Sequence, residues 1–344
     1  MQLVTGGAGF FGSILVKKLL QKGHKVISFD LNEINLKDKN LISIKGDIRD
    51  YNKVAAALEG VDVVHHNVAQ VPIAKDRYLF ESVNLGGARV LAKACVDKDV
   101  KSLVYTSSSA IYGVPLQNPV TNDTKPCPAE AYGKAKFDAE SIFRDMALKD
   151  INVSIVRPRT ILGTGRLGIF QILFEWIHQN KNIPVLGNGD NIYQFVHADD
   201  LADACIAAAN IEGYSVFNIG AADFGSMRET LENLIIHSGS KSRVVSVNKS
   251  LAKLGMNLTS YLGISPLGPY HSLMYGESMF FDLEDAQKHL SFKPNYSNDK
   301  LFIDSYDWYV RNRADIISGK ISGSGHQSKL KQGVLSFIPN LLFW

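Results

Sequence analysis

The chain has 344 residues, of which 45% are hydrophobic and 21% are charged, and its formal net charge is +3. That length and apolar fraction allow a large core, in one domain or in two unequal lobes. The small charge predicts no nucleic-acid partner, and no segment reaches the ~20 apolar residues that a membrane-spanning helix needs. Because Cys95, Cys127 and Cys205 form no C-x-x-C motif and cannot all pair, we expect free thiols in a cytoplasmic compartment. The predicted first strand begins at once, so we expect no signal peptide.

A glycine-rich loop follows the first predicted strand, Met1 to Val4, and precedes a helical pattern of apolar residues that stops at Gly23. Its glycines have the spacing G-x-x-G-x-x-G. Missing side chains let the backbone approach a phosphate, and the helix N-terminus offers unpaired N–H groups. The loop therefore predicts a site for the pyrophosphate of a dinucleotide. The residues expected to contact it are Gly6, Gly9, Phe10, Phe11 and Gly12.

Two acidic positions extend this predicted cofactor site. The second predicted strand, Lys25 to Phe29, ends at Asp30, about 20 residues past the loop, where an acid binds the ribose hydroxyls. The carboxylate would repel the 2′-phosphate of NADP and no arginine follows at once, so we expect NAD as the cofactor. After the next predicted strand, Asp47 and Ile48 form a loop of the kind that lines an adenine.

Strand and helix signals continue to alternate through the first half of the chain. This alternation predicts an α/β fold, with a doubly wound parallel sheet of the Rossmann type and a smaller C-terminal substrate lobe. A helix is expected around Glu81 to Asp97, and Phe195–His197 predicts a return to the sheet before a helix that Asp199 and Asp200 cap. The predicted domains are 1–157 with returning elements at about 190–220 for NAD binding, 158–189 and 221–317 for the substrate lobe, and 318–344 for a flexible segment with an apolar tail.

The C-terminal segment ends on many apolar side chains between Val334 and Trp344, preceded by Lys329 and Lys331. One interpretation is that this tail packs on its own domain or on the second subunit of a dimer. We expect the protein to be a homodimer. The other is that the tail contacts a membrane surface as a peripheral anchor at the inner face, with the lysines among the headgroups.

Tyr132 and Lys136 are four residues apart on a predicted helix and therefore share a face. A cationic lysine lowers the pKa of a nearby phenol, and such a tyrosine can take a proton from a substrate hydroxyl while a hydride leaves the carbon. The serine run that starts at Ser107 offers a hydroxyl for the same substrate oxygen. We expect no metal site, because His65 and His66 point to opposite faces of a strand and have no partner at ligand spacing.

Together these motifs resemble the extended short-chain dehydrogenase/reductase family, especially its nucleotide-sugar epimerase/dehydratase branch, over roughly residues 1–310. The resemblance implies that Tyr132 is the acid/base and that Lys136 adjusts its pKa and binds the ribose of NAD. The family hydroxyl residue lies four before the tyrosine of a V-Y-G signature, and counting back from Tyr112 gives Ser108. The alternatives, one position away, are Ser107 and Ser109. Asn84 resembles the family asparagine that holds the helix of the Tyr-Lys pair.

The chain departs from this branch in two places. Ser109-Ala110 stand where the dehydratases carry Asp-Glu, which excludes 4,6-dehydration. Where sugar-nucleotide epimerases usually have an asparagine that contacts the diphosphate, the chain reads from Arg157-Pro158 onward like hydroxysteroid dehydrogenases and lipid-linked-sugar members. Substrate contacts are expected at Arg159, Thr160 and Tyr275.

The favoured function is NAD-dependent epimerisation, at C4, of a sugar linked to a nucleotide or lipid carrier. Tyr132 would deprotonate the 4-hydroxyl, and the resulting keto-sugar would rotate before it is reduced on its other face. The first alternative is a net dehydrogenase of a lipidic or steroid-like alcohol, which uses the same residues and releases NADH. The second is a non-catalytic NAD-binding scaffold.

Overall fold

The computed structural model describes residues 1–70, 77–250 and 276–320. Its centre is a seven-stranded sheet in which every pair of neighbours is parallel. In chain order, its strands are β1 Gln2–Thr5, β2 Val26–Asp30, β3 Leu41–Lys45, β4 Val63–His66, β5 Ser102–Thr106, β6 Asn152–Pro158 and β10 Tyr214–Ile219. Two small sheets pair β7 Thr160–Leu162 with β9 Phe195–His197, and β8 Ile183–Leu186 with β11 Val244–Val247.

The main sheet runs in the order β10-β6-β5-β4-β1-β2-β3. The strand order therefore reverses direction between β1 and β4, and a doubly wound sheet binds its ligand in the crevice at such a point. The glycine loop follows β1, and the chain leaves β4 at His66 beside it. The predicted α/β fold class is confirmed.

Helices cover both faces of the sheet. On one face, α1 and α7 pack through Leu15 and Leu201, and on the other, α2, α4 and α5 contribute Val54, Leu91 and Phe143 to the core. The helices are α1 Phe10–Gln21, α2 Tyr51–Ala57, α3 Arg77–Leu79, a π-helix Phe80–Gly86, α4 Gly87–Asp97, a 3-10 helix Ser109–Tyr112, α5 Ala131–Ala147, α6 Phe170–His178, α7 Ala198–Ala208, α8 Met227–Ser238, α9 Glu284–Leu290 and α10 Asn298–Ile317.

A third core lies beyond the main sheet, where α6, α8 and α10 pack around aromatic rings. Phe195 and Phe302 lie at its centre, with ring centroids 5.0 Å apart. None of the helices in the described residues combines the length and the apolar character needed to cross a membrane. The C-terminal tail and Tyr275 lie outside the described residues, and the predicted domain division stays a prediction.

One strand prediction is wrong in its partner. Phe195–His197 is a strand and does precede a helix, but it pairs with Thr160–Leu162 rather than with the main sheet. The seventh strand of the main sheet is instead Tyr214–Ile219, which pairs with Asn152–Pro158. The β6 strand ends at Pro158, so residues 160–162 lie beyond the carboxyl end of that strand and pair with a different strand. A strand signal of only three residues could not distinguish these two partners.

Candidate active site

The glycine loop is shaped by close contacts of the backbone. Gly6 has a φ of +70°, which glycine adopts without strain. A Cβ atom on Gly12 would lie 2.0 Å from the carbonyl oxygen of Gly6, so only glycine fits there. Helix α1 starts directly after Gly9, with no side-chain cap and no acidic residue in its first turn. Its first N–H groups are therefore available to an anion, and the helix dipole favours one.

Asp30 lies at the end of β2 beside this loop. Its carboxylate accepts hydrogen bonds from the N–H groups of Ala8, at 3.2 Å, and Asn32, at 3.0 Å, which fix its position. Asp47 lies at the next strand end, where the Arg49 side chain lowers the pKa of its carboxyl group. Ile48 is 4% exposed and belongs to the core below, so Asp47 carries the polar surface of this pair.

These residues fit NAD. The glycine loop offers a backbone cradle that a Cβ atom would fill, and α1 offers an uncapped N-terminus for the pyrophosphate. Asp30 retains lone pairs for ribose hydroxyls, since each carboxylate oxygen accepts more than one hydrogen bond.

Tyr132 enters the site because the first turn of α5 meets the short 3-10 helix. Helix α5 begins at Ala131, with the Glu130 carboxylate accepting from the N–H groups of Tyr132, at 2.8 Å, and Gly133, at 2.6 Å. A Cβ atom on Gly133 would lie 2.5 Å from the carbonyl oxygen of Ala110, so this glycine lets α5 contact the 3-10 helix. That contact brings the hydroxyl groups of Tyr132 and Ser108 into a hydrogen bond.

The three consecutive serines have three different partners. Ser107 is buried and donates to Glu140 Oε1 at 2.5 Å, whereas Ser109 Oγ accepts from Arg159 Nη1 at 2.9 Å. Ser108 is the one that faces the Tyr132 hydroxyl. This arrangement favours Ser108 over its two neighbours as the hydroxyl partner of the tyrosine.

The electrostatics around Tyr132 differ from the simple Tyr-Lys pair that the spacing suggests. Burial raises the pKa of Tyr132, while the bond to Ser108 and the charge of Arg166 lower it. Lys136 lies one turn along α5 and is 2% exposed, but its Nζ atom donates to the Thr106 carbonyl oxygen at 2.8 Å. Burial lowers the pKa of Lys136 to about 7. The cation that lowers the pKa of the phenol is therefore Arg166, and Lys136 lies one turn further along the same helix.

Sequence reasoning missed Arg166. Its guanidinium lies 5.6 Å from the centre of the Phe10 ring, so it connects the glycine loop with the surroundings of Tyr132. The residue follows Gly165 in a region without hydrophobic periodicity, and nothing in its local pattern indicates this position.

Sequence reasoning also missed Glu140, which lies two turns after Tyr132 on the same face of α5. Its carboxylate accepts from Arg157 Nη2 at 2.7 Å and from Arg157 Nε at 3.0 Å. Arg157 Nη1 in turn donates to the Tyr112 hydroxyl at 2.7 Å. Burial opposes the charge on Arg157, but the bond to Glu140 raises the pKa of its guanidinium. This buried network joins α5 to β6 directly below the site.

The remaining predicted residues lie around this centre. The Asn84 side chain bonds the backbone of Gln70 in both directions, at 2.7 and 3.1 Å. These two bonds hold the segment after β4. The contact with α5 that the resemblance implies for Asn84 stays a prediction. The Thr160 hydroxyl hydrogen-bonds the Tyr193 hydroxyl at 2.9 Å. His66 is buried against Thr5, and burial lowers its pKa to about 3.

Comparison with known proteins identifies the class. The chain belongs to the NAD dependent epimerase/dehydratase family, whose model matches residues 2–220. It is an NAD-dependent enzyme of the extended short-chain dehydrogenase/reductase type, so the predictions of family, enzymatic nature and cofactor are confirmed.

Individual relatives agree with this membership. An uncharacterized protein of Sinorhizobium fredii is 51% identical over 99% of this chain and 86% of its own length. The UDP-glucose 4-epimerase of Mycolicibacterium smegmatis is 30% identical over 66% of this chain and 79% of its own. The fold is similar to that of MoeE5, solved with NAD and UDP-glucose, with a TM-score of 0.74 and 24% identity over 91% of this chain and 99% of that one.

Proposed function

We propose that this enzyme epimerises C4 of a sugar carried by a nucleotide, with Tyr132 as the proton-transferring residue. The observation that carries this proposal is the hydrogen bond between the Tyr132 and Ser108 hydroxyls, one helical turn from a buried lysine. The charge of Arg166, which lies against Phe10 of the glycine loop, acts on the same tyrosine. A relative that is 30% identical is named as a UDP-glucose 4-epimerase, which supports the substrate class.

In the proposed reaction, the phenolate of Tyr132 takes the proton of the sugar hydroxyl, and Ser108 donates a hydrogen bond to the same oxygen. The positive charge of Arg166 stabilises the phenolate, which otherwise loses solvation through burial. When Lys136 is protonated, it adds a second positive charge one turn away and offers N–H donors to the ribose of the cofactor. Bound NAD supplies the reversible hydride transfer at the sugar carbon. The keto-sugar then rotates in the site and is reduced on its other face. Tyr132 returns the proton to the oxygen of the new alcohol.

The net dehydrogenase is the rival interpretation, because it uses the same residues and differs only in product release. The Arg157-Pro158 pair that suggested it has a structural role here, since Arg157 is bound to Glu140 and is 5% exposed. We therefore rank the sugar epimerase first. The lipid carrier and the membrane anchor depend on the tail, which lies outside the described residues.

The experiment incubates the full chain and NAD with UDP-glucose, UDP-galactose and UDP-glucuronate in turn. Sugar stereochemistry is followed by NMR, and reduced nicotinamide by absorbance. Appearance of the 4-epimer without accumulation of reduced nicotinamide supports the proposal. Stoichiometric reduced nicotinamide together with a ketone product would indicate a net dehydrogenase. Bound substrate with neither product would indicate a non-catalytic protein.

A further inference from the structure

Arg159 is buried behind the serine run and uses only part of its hydrogen-bonding capacity. The residue is 1% exposed, and Nη1 donates to Ser109 Oγ at 2.9 Å and contacts Met279 Sδ at 3.2 Å. Its Nε and Nη2 atoms are buried, and neither has a hydrogen-bond partner among the described residues. A guanidinium has no acceptor capacity and cannot lose its charge, so these N–H groups need an acceptor.

The charge of Arg159 is not neutralised either. Within residues 1–70, 77–250 and 276–320 it forms no ion pair. The rings of Tyr193 and Phe281 lie 4.6 and 5.7 Å from the guanidinium carbon and offset part of the burial cost. A buried charge without a counter-ion is strongly unfavourable, so an anion is the missing partner.

Arg157, two residues earlier, is a buried arginine whose guanidinium has a carboxylate partner in the protein. It is 5% exposed and forms a double hydrogen bond with the Glu140 carboxylate. The two arginines thus share residue type and burial, and differ in whether the protein supplies the carboxylate. This contrast is the reason to assign the anion of Arg159 to a ligand.

The position of Arg159 indicates which part of a ligand would reach it. Ser109, which accepts from Arg159, directly follows Ser108, the residue bonded to the Tyr132 hydroxyl. Ser109 also retains its own hydroxyl proton as a donor. In a hexose, the reacting C4 is bonded to C5, which carries C6. The other neighbour of C4 is C3, which carries a neutral hydroxyl, whereas C6 can be oxidised to a carboxylate. An anionic group close to the reacting carbon would therefore be a carboxylate at C6.

We propose that the sugar of the substrate is a uronate, whose carboxylate is bound by Arg159 and Ser109. The free Nε and Nη2 atoms match the two oxygens of a carboxylate in the bidentate geometry that arginine favours. The inference rests on the proposed function, because it places the sugar by the 4-hydroxyl at Tyr132. The other anion of a sugar nucleotide is its diphosphate, and the experiment separates the two.

The first arm compares kcat/KM for UDP-glucuronate with that for UDP-glucose, in the wild type and in Arg159→Met and Arg159→Lys. We expect the wild type to prefer the uronate, and Arg159→Met to reduce that preference by about 10- to 100-fold, the size of a lost charge-assisted hydrogen bond. Arg159→Lys should retain part of it, because the charge remains. Turnover of the neutral sugar with no preference for the uronate would overturn the inference and leave the epimerase function intact.

The second arm measures binding of UDP alone and of UDP-glucuronate by calorimetry, and it needs no turnover. Arg159→Met should weaken the binding of UDP-glucuronate by more than it weakens the binding of UDP. An equal loss for both ligands would assign Arg159 to the diphosphate and overturn the uronate assignment. If no sugar nucleotide is turned over by the wild type, the proposed function fails, while this arm still decides the role of Arg159.

The third arm uses Arg157→Met as the matched control in thermal unfolding without ligand. Removing the uncompensated charge in Arg159→Met should leave the melting temperature equal to or above that of the wild type, because an apolar side chain of similar size replaces a buried ion. Arg157→Met should lower it, since it leaves the buried Glu140 carboxylate without a counter-ion. A similar decrease in both variants would show that Arg159 is a structural residue and would overturn the inference.

Discussion

The buried pair of Glu140 and Arg157 predicts that the conservative change Glu140→Gln is strongly destabilising. The two side chains are 3% and 6% exposed, and their closest atoms are 2.7 Å apart. Glutamine keeps the size and some hydrogen bonds but removes the negative charge. The guanidinium of Arg157 would then remain ionised in the core without a counter-charge, and Ser107 would lose a charged acceptor.

Removing one partner of a buried ion pair costs about 3–5 kcal/mol. The matched control is Asp138→Asn on the same helix, because Asp138 pairs with Lys134 at 2.9 Å while the two side chains are 36% and 69% exposed. An exposed pair contributes about 0–1 kcal/mol. The two variants remove the same charge from the same helix and differ in burial, so we expect a difference of about 3 kcal/mol in the free energy of unfolding.

The assay is equilibrium denaturant unfolding of the wild type and both variants, with Glu140→Gln/Arg157→Met as a third. The double variant should recover part of the loss, because it no longer buries an unpaired guanidinium. Equal free energies of unfolding for Glu140→Gln and Asp138→Asn would refute the argument. It would mean that the pair does not hold α5, and with it Tyr132, against β6.

Three further predictions concern the cofactor, the lysine and the tail. Titration with both dinucleotides should show NAD binding tighter than NADP by ~1–3 kcal/mol, or one to two decades, because Asp30 would face the 2′-phosphate; equal affinities would contradict this assignment. Burial lowers the pKa of Lys136 in the folded protein to about 7, below its ordinary value of 10.5, so between these values the unfolded chain binds more protons and stability rises with pH. Between pH 7 and pH 9, the free energy of unfolding should rise more steeply with pH in the wild type than in Lys136→Met. The difference in slope should be about 1.4 kcal/mol per pH unit, and parallel pH profiles would exclude a strongly shifted lysine. Deleting residues 326–344 should release the protein from anionic vesicles without changing its melting temperature or NAD affinity, whereas unfolding or loss of a dimer would assign the tail to the core or to a subunit interface.

The sequence predicts the part of the fold that local patterns determine. The alternating apolar strands and the glycine loop lead to the parallel sheet, and the predicted helix after the loop appears as Phe10–Gln21. The segment around Glu81 to Asp97 is helical, but its first part is a π-helix, Phe80–Gly86. Such a change of hydrogen-bonding register leaves no clear trace in apolar periodicity.

The site residues that belong to a sequence motif could be predicted. Those that reach the site only through tertiary contacts could not. The Tyr132–Lys136 spacing places both residues on one helical face, which requires only helix geometry. Which serine faces Tyr132 depends on how the 3-10 helix meets α5, and that contact joins residues distant in sequence. Arg166 and Glu140 act through such long-range contacts as well, so no local pattern indicated them. The homodimer and the cytoplasmic location stay predictions.

The central claim is that Tyr132 moves the proton of the sugar hydroxyl. The most direct test is the epimerisation rate of Tyr132→Phe with the substrate identified in the UDP-sugar assay, measured beside NAD affinity on the same preparation. The substitution deletes one hydroxyl and keeps the ring, so we predict a rate lower by about 10²–10⁴, with NAD affinity and melting temperature close to those of the wild type. A near-normal rate of epimerisation in this variant would contradict the account.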